Sequence, residues 1–405
     1  MNKKVKVIAA AAACAAALCM AGVSGCAAAS RGLVVDSFWY ISNFDSFQPS
    51  ATDPEQNGRQ NEVLLYEITA DAEAAGNAVY SVNYFTDGED FASGENAHYF
   101  RTTFYATGFD WSDERVNEKY RLTADDAESL PDSSELKARL DGTVETVYVL
   151  KTELKISGEY VYGDDESTAV RFSDSMVTET YFRSSGDGLQ PVYSTQDAVT
   201  TVPKSISPSS ADEMCEQLDY EYEVSYSPYG TEAEITYSPA GGEAEVKTVS
   251  LNSDPGAVFD NNTLYTVIRG LSLSENFGAA LNLLIPADGG VSTVNVSAGS
   301  RGELDATDDA DMISALTAAY GEPPSEDAVE TAEADAGSNI FYYPVSIGAS
   351  SGRGVTRTAW YAAVEDERNN TYRATMLRLY QPLSYSLGAW EFRLAEVEGV
   401  LRRQA

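Results

Sequence analysis

The chain has 405 residues, of which 63 are acidic and 27 basic, giving a formal charge of −36 at neutral pH, with a single histidine and four cysteines. So negative a field repels phosphate-rich partners, which excludes nucleic acid and disfavours anionic lipid head groups as surface ligands. One histidine and too few thiols exclude zinc, copper and haem cages, leaving only a hard, oxygen-bound cation such as Ca²⁺ for consideration, and no cofactor is expected.

Lys3, Lys4 and Lys6 precede an uncharged, alanine-rich run from Val7 to Val23, the basic and apolar regions of a secretory signal. The run is shorter and less apolar than the ~20 residues that a membrane-spanning helix needs. Val23-Ser24-Gly25-Cys26 follows at once, and these four residues resemble the lipobox of bacterial lipoproteins. The resemblance implies a diacylglyceryl group on the Cys26 thiol, cleavage after Gly25 and acylation of the new N-terminus. Two or more acyl chains then hold the protein on a membrane, at about 0.8 kcal/mol per buried CH₂. Residues 1–25 are therefore read as a lipoprotein signal peptide, and the mature protein as lipid-anchored on the extracytoplasmic face of the cell membrane. Position 27 is Ala, so no inner-membrane retention signal is evident. Losing three lysines takes the charge from −36 to −39 over the remaining 380 residues. Cys14 and Cys19 leave with the signal, so Cys26 and Cys215 are the mature cysteines and no intramolecular disulfide is expected.

Residues 26–60 read as a tether, with an aromatic cluster at Phe38, Trp39 and Tyr40 followed by a polar stretch. Strand signals dominate from there. Leu150, Thr152, Leu154 and Ile156 alternate with Lys151, Glu153 and Lys155, the pattern of a strand with one wet face. Tyr220, Tyr222, Val224 and Tyr226 alternate with Glu221 and Glu223, Ser227-Pro228-Tyr229-Gly230 forms a turn, and Ala233, Ile235 and Tyr237 return, which predicts a hairpin with an acidic outer face. Thr358, Trp360, Ala362 and Val364, then Tyr372, Ala374 and Met376, then Trp390, Phe392 and Leu394 give the last strands. Helical signals are confined to Asp132 to Leu140, Asp260 to Leu271 and Asp308 to Tyr320. The expected fold is mainly β: one large curved antiparallel sheet or open barrel with a few short helices. A weak boundary at Pro203 to Asp212 divides an N-terminal lobe, 61–205, from a C-terminal lobe, 206–405, which the two can also share as one continuous sheet.

Several short patterns touch on chemistry. Gly348-Ala349-Ser350-Ser351-Gly352 fits G-x-S-x-G, but the residues after it alternate like a strand where a nucleophile elbow needs a helix, and the sole histidine, His98, has strand parity with Phe100, Thr102 and Phe104. Ser134-Glu135-Leu136-Lys137 fits S-x-x-K and Ser173-Asp174-Ser175 approaches S-D-N, but there is no K-T-G, only Lys151-Thr152-Glu153, and helix capping accounts for the first. Asp305, Thr307, Asp309 and Asp311 have EF-hand spacing, yet Ala310 and Leu316 replace the turn glycine and the bidentate glutamate, so helix-dipole pairing accounts for them better and no metal site is assigned. No catalytic residue is assigned either. The 25 tyrosines suit half-buried sheets and also ligand clefts.

Tyr181-Phe182-Arg183, the turn at Ser184 to Gly188, Leu189 to Tyr193, and then Phe259-Asp260-Asn261-Asn262 with Leu264, Arg269 and Leu271 form an ordered set that ends in the strands around Trp360 and Trp390. The set resembles exported β-rich families of unknown function that are themselves similar to the half-barrels of lipoprotein carriers. The resemblance implies a strongly curved sheet with the Asp260 to Leu271 helix across its concave side, and Arg269 as a possible contact for a ligand's anionic group at the mouth. The leading functional expectation is a non-catalytic surface lipoprotein that binds an apolar or amphipathic ligand or an envelope partner. An envelope glycan hydrolase using Asp/Glu carboxylates is the alternative. An ABC-type solute receptor fits the length and the lipid but not the strand pattern.

Overall fold

In the computed structural model the described residues are 61–70, 80–84, 99–109, 145–162, 169–185, 188–204, 210, 213–227, 230–251, 258–271, 273–320, 340–349, 356–363, 374–382 and 389–398. Cys26, the tether, His98 and the expected helix at Asp132 to Leu140 lie outside them.

The chain forms β1 (Asn61–Ala70), β2 (Tyr80–Tyr84), β3 (Tyr99–Phe109), β4 (Glu145–Tyr162), β5 (Val170–Ser185) and β6 (Gly188–Pro203), followed by β7 (Cys215–Tyr226), β8 (Glu232–Pro239) and β9 (Glu245–Ser250). After β10 (Val258–Asp260), a 3₁₀ turn at Asn261–Thr263 leads into helix α1 (Leu264–Arg269). Next come β11 (Gly278–Ile285), a second 3₁₀ turn at Pro286–Asp288, β12 (Gly290–Ala298), β13 (Gly302–Glu303) and helix α2 (Ala310–Tyr320). The chain closes with β14 (Phe341–Ala349), β15 (Arg357–Ala362), β16 (Met376–Pro382) and β17 (Ala389–Glu398).

All seventeen strands belong to one sheet. Its antiparallel ladders run from β9 through β8, β7, β6, β5, β4 and β3 to β1, with β2 beside the far end of β4. On its other side β1 pairs with β17, and the order continues through β16, β15, β14 and β12 to β11, with β13 beside β14. The β10–β11 pair is parallel. The mainly β, open, curved architecture read from the sequence is therefore present. β6 and β7, which precede and follow residues 204–214 in the chain, pair in continuous antiparallel register from Tyr193 opposite Ser225 to Pro203 opposite Cys215.

Alternation dictates which side chains enter the core. In β7 the buried positions are Leu218, Tyr220, Tyr222, Val224 and Tyr226, and in β8 Ala233 and Ile235 join them. Tyr222 faces Tyr237, Val224 faces Ile235 and Tyr226 faces Ala233 in the expected hairpin. Gly230 N donates to Ser227 O at 2.9 Å to close the turn, and Glu221, Glu232 and Glu234 stay exposed. One continuous cluster of buried residues extends from Leu64 to Leu394, so both ends of the chain share a core.

The sheet curls far enough to bring side chains of its two end regions into contact, with no strand ladder joining them among the described residues. Tyr226 on β7 donates to the carboxylate of Asp260, the last residue of β10, at 2.6 Å. Gly289, between the second 3₁₀ turn and β12, has φ +57°, and a Cβ there would lie 2.5 Å from Lys247 Nζ on β9. That position needs glycine for its left-handed backbone and for the lysine packed against it.

Helix α1 has six residues, too few to persist alone, and is held by packing. Its Leu264, Val267 and Ile268 are buried. The helical expectation at Asp260 to Leu271 resolves into a 3₁₀ turn and a short helix. Asp260 stays extended as the cap, its carboxylate accepting from Asn262 N at 2.9 Å, and Gly270 ends the helix. Helix α2 buries Met312 and Leu316, one turn apart, and packs against β17.

Candidate functional site

Between α1 and the inner face of β3, β4, β5 and β6 lies a cleft of about 70 Å³. Phe100, Leu150, Met176 and Leu264 give it an apolar wall, Asn261, Asn262 and Tyr265 line the helix side, and Arg357 enters from β15. Across the floor runs a row set by strand register: Thr102 faces Thr152, Thr152 faces Thr178 and Thr178 faces Gln196. Neighbouring strands lie about 4.8 Å apart, so the row offers a polar group at each step across the sheet. Thr152 and Thr178 are only 7% and 2% exposed. Among the described residues the hydroxyls of Thr102, Thr152 and Thr178 make no hydrogen bond. Gln196 does, its Nε2 donating to the Tyr220 hydroxyl at 3.3 Å.

The helix is fastened to both arms of the sheet. Asn262 Nδ2 donates to Ser194 Oγ on β6 at 3.2 Å. On the opposite side Arg357 Nη1 donates to the Tyr265 hydroxyl at 2.8 Å and the Tyr361 hydroxyl donates to Tyr265 O at 3.0 Å, both from β15. Arg269 Nη2 donates to Thr375 Oγ1 at 3.3 Å. At its start, burial raises the pKa of the Asp260 carboxyl, against the lowering effect of the bonds from Tyr226 and Asn262. The same burial and the neighbouring Asp260 push the Tyr226 hydroxyl well above its ordinary value.

The structure thus sets Arg269 against Thr375, outside the cleft lining, and brings Arg357 into that lining in its place. Arg357 is 5% exposed. Its signal in the sequence was parity: it shares a face with Ala359 and Tyr361, the buried set of β15, while Thr358 and Trp360 occupy the other face.

The remaining motifs have structural explanations or fall outside the described residues. Gly348 lies in β14, and β14 pairs antiparallel with β15, so a strand stands where a nucleophile elbow would turn into a helix. Ser350 and Gly352 are outside the described residues. Ser173 and Ser175 are exposed on β5 while Asp174 turns inward. Lys151 and Glu153 approach at 3.7 Å on the outer face of β4, and Thr152 between them points into the cleft.

In the EF-hand-like stretch the carboxylates of Asp305 and Asp309 are occupied by the protein. Asp305 Oδ1 accepts from Thr307 N and Asp308 N at 2.7 and 2.9 Å, which holds its pKa below the ordinary value. Asp309 accepts from Asp305 N and is paired with Arg378 and Arg393. Among the described residues no cluster of His, Cys, Asp or Glu is arranged to hold a metal ion. No carboxylate lines the cleft among them, and none of the acids whose pKa burial raises, Asp174, Asp260 and Asp288, belongs to the lining.

No family model and no curated protein matches the chain. A crystal structure of a β-barrel-like protein of domain of unknown function DUF1849 from Brucella abortus is similar at a TM-score of 0.38 and 9% identity, covering 84% of this chain and 97% of that one.

Proposed function

We propose that this chain is a lipid-anchored extracytoplasmic binding protein whose cleft, between α1 and the concave sheet, takes an apolar or amphipathic ligand. One observation carries the reading: the cleft combines an apolar wall with a row of threonine hydroxyls that have no hydrogen-bond partner among the described residues. Interior space usually fills with side chains in a purely structural sheet, and buried polar groups are usually satisfied. A site lined by apolar surface with a few convergent polar groups is the ordinary form of a small-molecule pocket. No helix among the described residues is long and apolar enough to cross a membrane, so anchoring on this reading rests on the lipobox at Cys26.

Two measurements test it. Native mass spectrometry of the purified protein is expected to find a co-purifying small molecule, or to detect uptake of one from an added pool of short-chain amphiphiles. A protein that stays empty under both conditions overturns the binding role. Fractionation of cells carrying Cys26→Ala is expected to move the protein out of the membrane fraction with its β-sheet circular dichroism intact. Retention of that variant in the membrane overturns the anchor.

A further inference from the structure

Resting on that reading, we infer that the ligand carries an uncharged head with more than one hydroxyl, hydrogen-bonded to the threonine row and the cleft amides, while its apolar body lies along Phe100, Leu150, Met176 and Leu264. Hydrogen-bond complementarity is the first argument. A threonine hydroxyl has one proton to donate and lone pairs that accept. Among the described residues those of Thr102, Thr152 and Thr178 make no hydrogen bond. Gln196 gives its Nε2 to the Tyr220 hydroxyl and Asn262 its Nδ2 to Ser194 Oγ, which leaves both amide oxygens as acceptors without a partner among the described residues. An ionised carboxylate only accepts and an ammonium only donates, so neither matches a wall that needs donors for the amide oxygens and both kinds of partner for the hydroxyls. A hydroxyl does both.

Burial is the second. Thr152 and Thr178 are 7% and 2% exposed, yet their oxygens are not sealed off, since the unpartnered side-chain atoms cut off from solvent lie elsewhere, as at Asp174 Oδ1 and Thr200 Oγ1. Their hydroxyls therefore keep contact with the cleft they line. A buried polar group without a partner costs stability, and a head that supplies the missing bonds relieves that cost. Moving an ion from water to a site of neutral hydroxyls and amides costs far more than moving a hydroxyl there. Arg357 belongs to the fastening of α1, its Nη1 donating to the Tyr265 hydroxyl, and recognition is assigned to the neutral groups. Strand register is the third argument. The row advances one strand at a time from Thr102 to Gln196, in steps of about 4.8 Å, so a head with several hydroxyls reaches more than one of its members. The cleft, at about 70 Å³, accommodates such a head and the near end of a chain rather than a whole long acyl tail.

The test uses the chain from residue 26 to 405, which retains every described element, with Cys26→Ser to keep it out of membranes. Isothermal titration compares 1-hexanoylglycerol, methyl hexanoate, hexanoate and hexylammonium, which share a short apolar body and differ in the head. The glycerol ester is expected to bind about tenfold more tightly than the methyl ester, the effect of one or two added hydrogen bonds, and more tightly than either ion. Thr152→Val with Thr178→Val removes two hydroxyls at nearly constant shape. It is expected to weaken the glycerol ester about tenfold, to leave the methyl ester unchanged and not to lower Tm. Should that variant fail to fold, the order of the four probes on the chain with both threonines decides. A glycerol ester no tighter than the methyl ester, an ion tighter than the glycerol ester, or undiminished glycerol ester affinity in the variant overturns the inference and leaves the broader binding role standing. Binding of none of the four overturns both.

Discussion

Asp174 shares the inner face of β5 with Met176 and Thr178, where its Oδ2 accepts from Thr201 N at 2.8 Å and its Oδ1 has no partner among the described residues. Burial outweighs that single bond and raises the carboxyl from 3.8 to about 6. The protonated form is therefore favoured by folding. Between about pH 4 and 6 the folded state binds more protons than the unfolded one, so this group's contribution is most favourable below pH 4, falls through that window and stays unfavourable above it. Asp174→Asn mimics the protonated form, so it is expected to stabilise the protein at pH 7.5 by up to ~3 kcal/mol and to make almost no difference at about pH 3, below both values. Urea denaturation at the two pH values measures this. A variant less stable than wild type at pH 7.5 would show that the ionised carboxylate is favoured by a partner outside the described residues. No sequence pattern announces this residue. Ser173-Asp174-Ser175 attracted notice as a catalytic fragment, whereas the serines point outward and the aspartate's environment comes from Thr201 on the next strand.

At the scale of elements, α2 is joined to the sheet by packing and by charge. Met312 and Leu316 supply the apolar stripe, and Asp309, just before the helix, pairs with Arg378 on β16 and with Arg393 on β17, the latter at 3.0 Å. Burial, and after it the neighbouring Arg393, lowers the pKa of Arg378. Asp309 is 5% exposed, whereas the arginine side chains are 26% and 35% exposed, so the pairing deserves less than a fully buried one would. Asp309→Asn leaves two adjacent guanidinium groups facing a neutral amide. It is expected to speed amide exchange of residues 310–320 about 30-fold through local opening, corresponding to about 2 kcal/mol, before global stability changes. Unchanged protection along α2 would mean that the apolar stripe alone docks the helix. The helix itself was legible from its periodicity, as was the β7–β8 hairpin, because both are encoded over short stretches. The role of Asp309 was not: the EF-hand spacing of Asp305 to Asp311 is local, and its arginine partners lie 69 and 84 positions away. The same limit hid the cleft. Thr102, Thr152, Thr178 and Gln196 each look like ordinary strand residues, and only register across four strands lines them up under α1.

For the whole molecule the decisive element is β1, which pairs with β3 on one side and β17 on the other. Tyr66 on β1 carries this through in side chains, its ring 5.4 Å from Phe100 and its hydroxyl donating to Met376 O at 2.9 Å. Phe100 in turn meets Phe392 edge-on, also at 5.4 Å. Single cores usually stop growing at ~250–300 residues, which is why length alone suggests two lobes. Here the sheet stays continuous across both regions, between β6 and β7 and again through β1, and the buried cluster spans the same range. Halves cut near residue 205 would separate β1 from β17 and β6 from β7, exposing unpaired edges and the apolar face of α1 together. The expected outcome is one cooperative unfolding transition, with calorimetric and van't Hoff enthalpies equal despite the length of the chain. Scanning calorimetry of the mature protein at two heating rates, with refolding checked by a second scan, measures it. Two resolved transitions, or a van't Hoff enthalpy near half the calorimetric one, would show that the halves unfold separately, and α1 would then bridge two units instead of crossing one sheet.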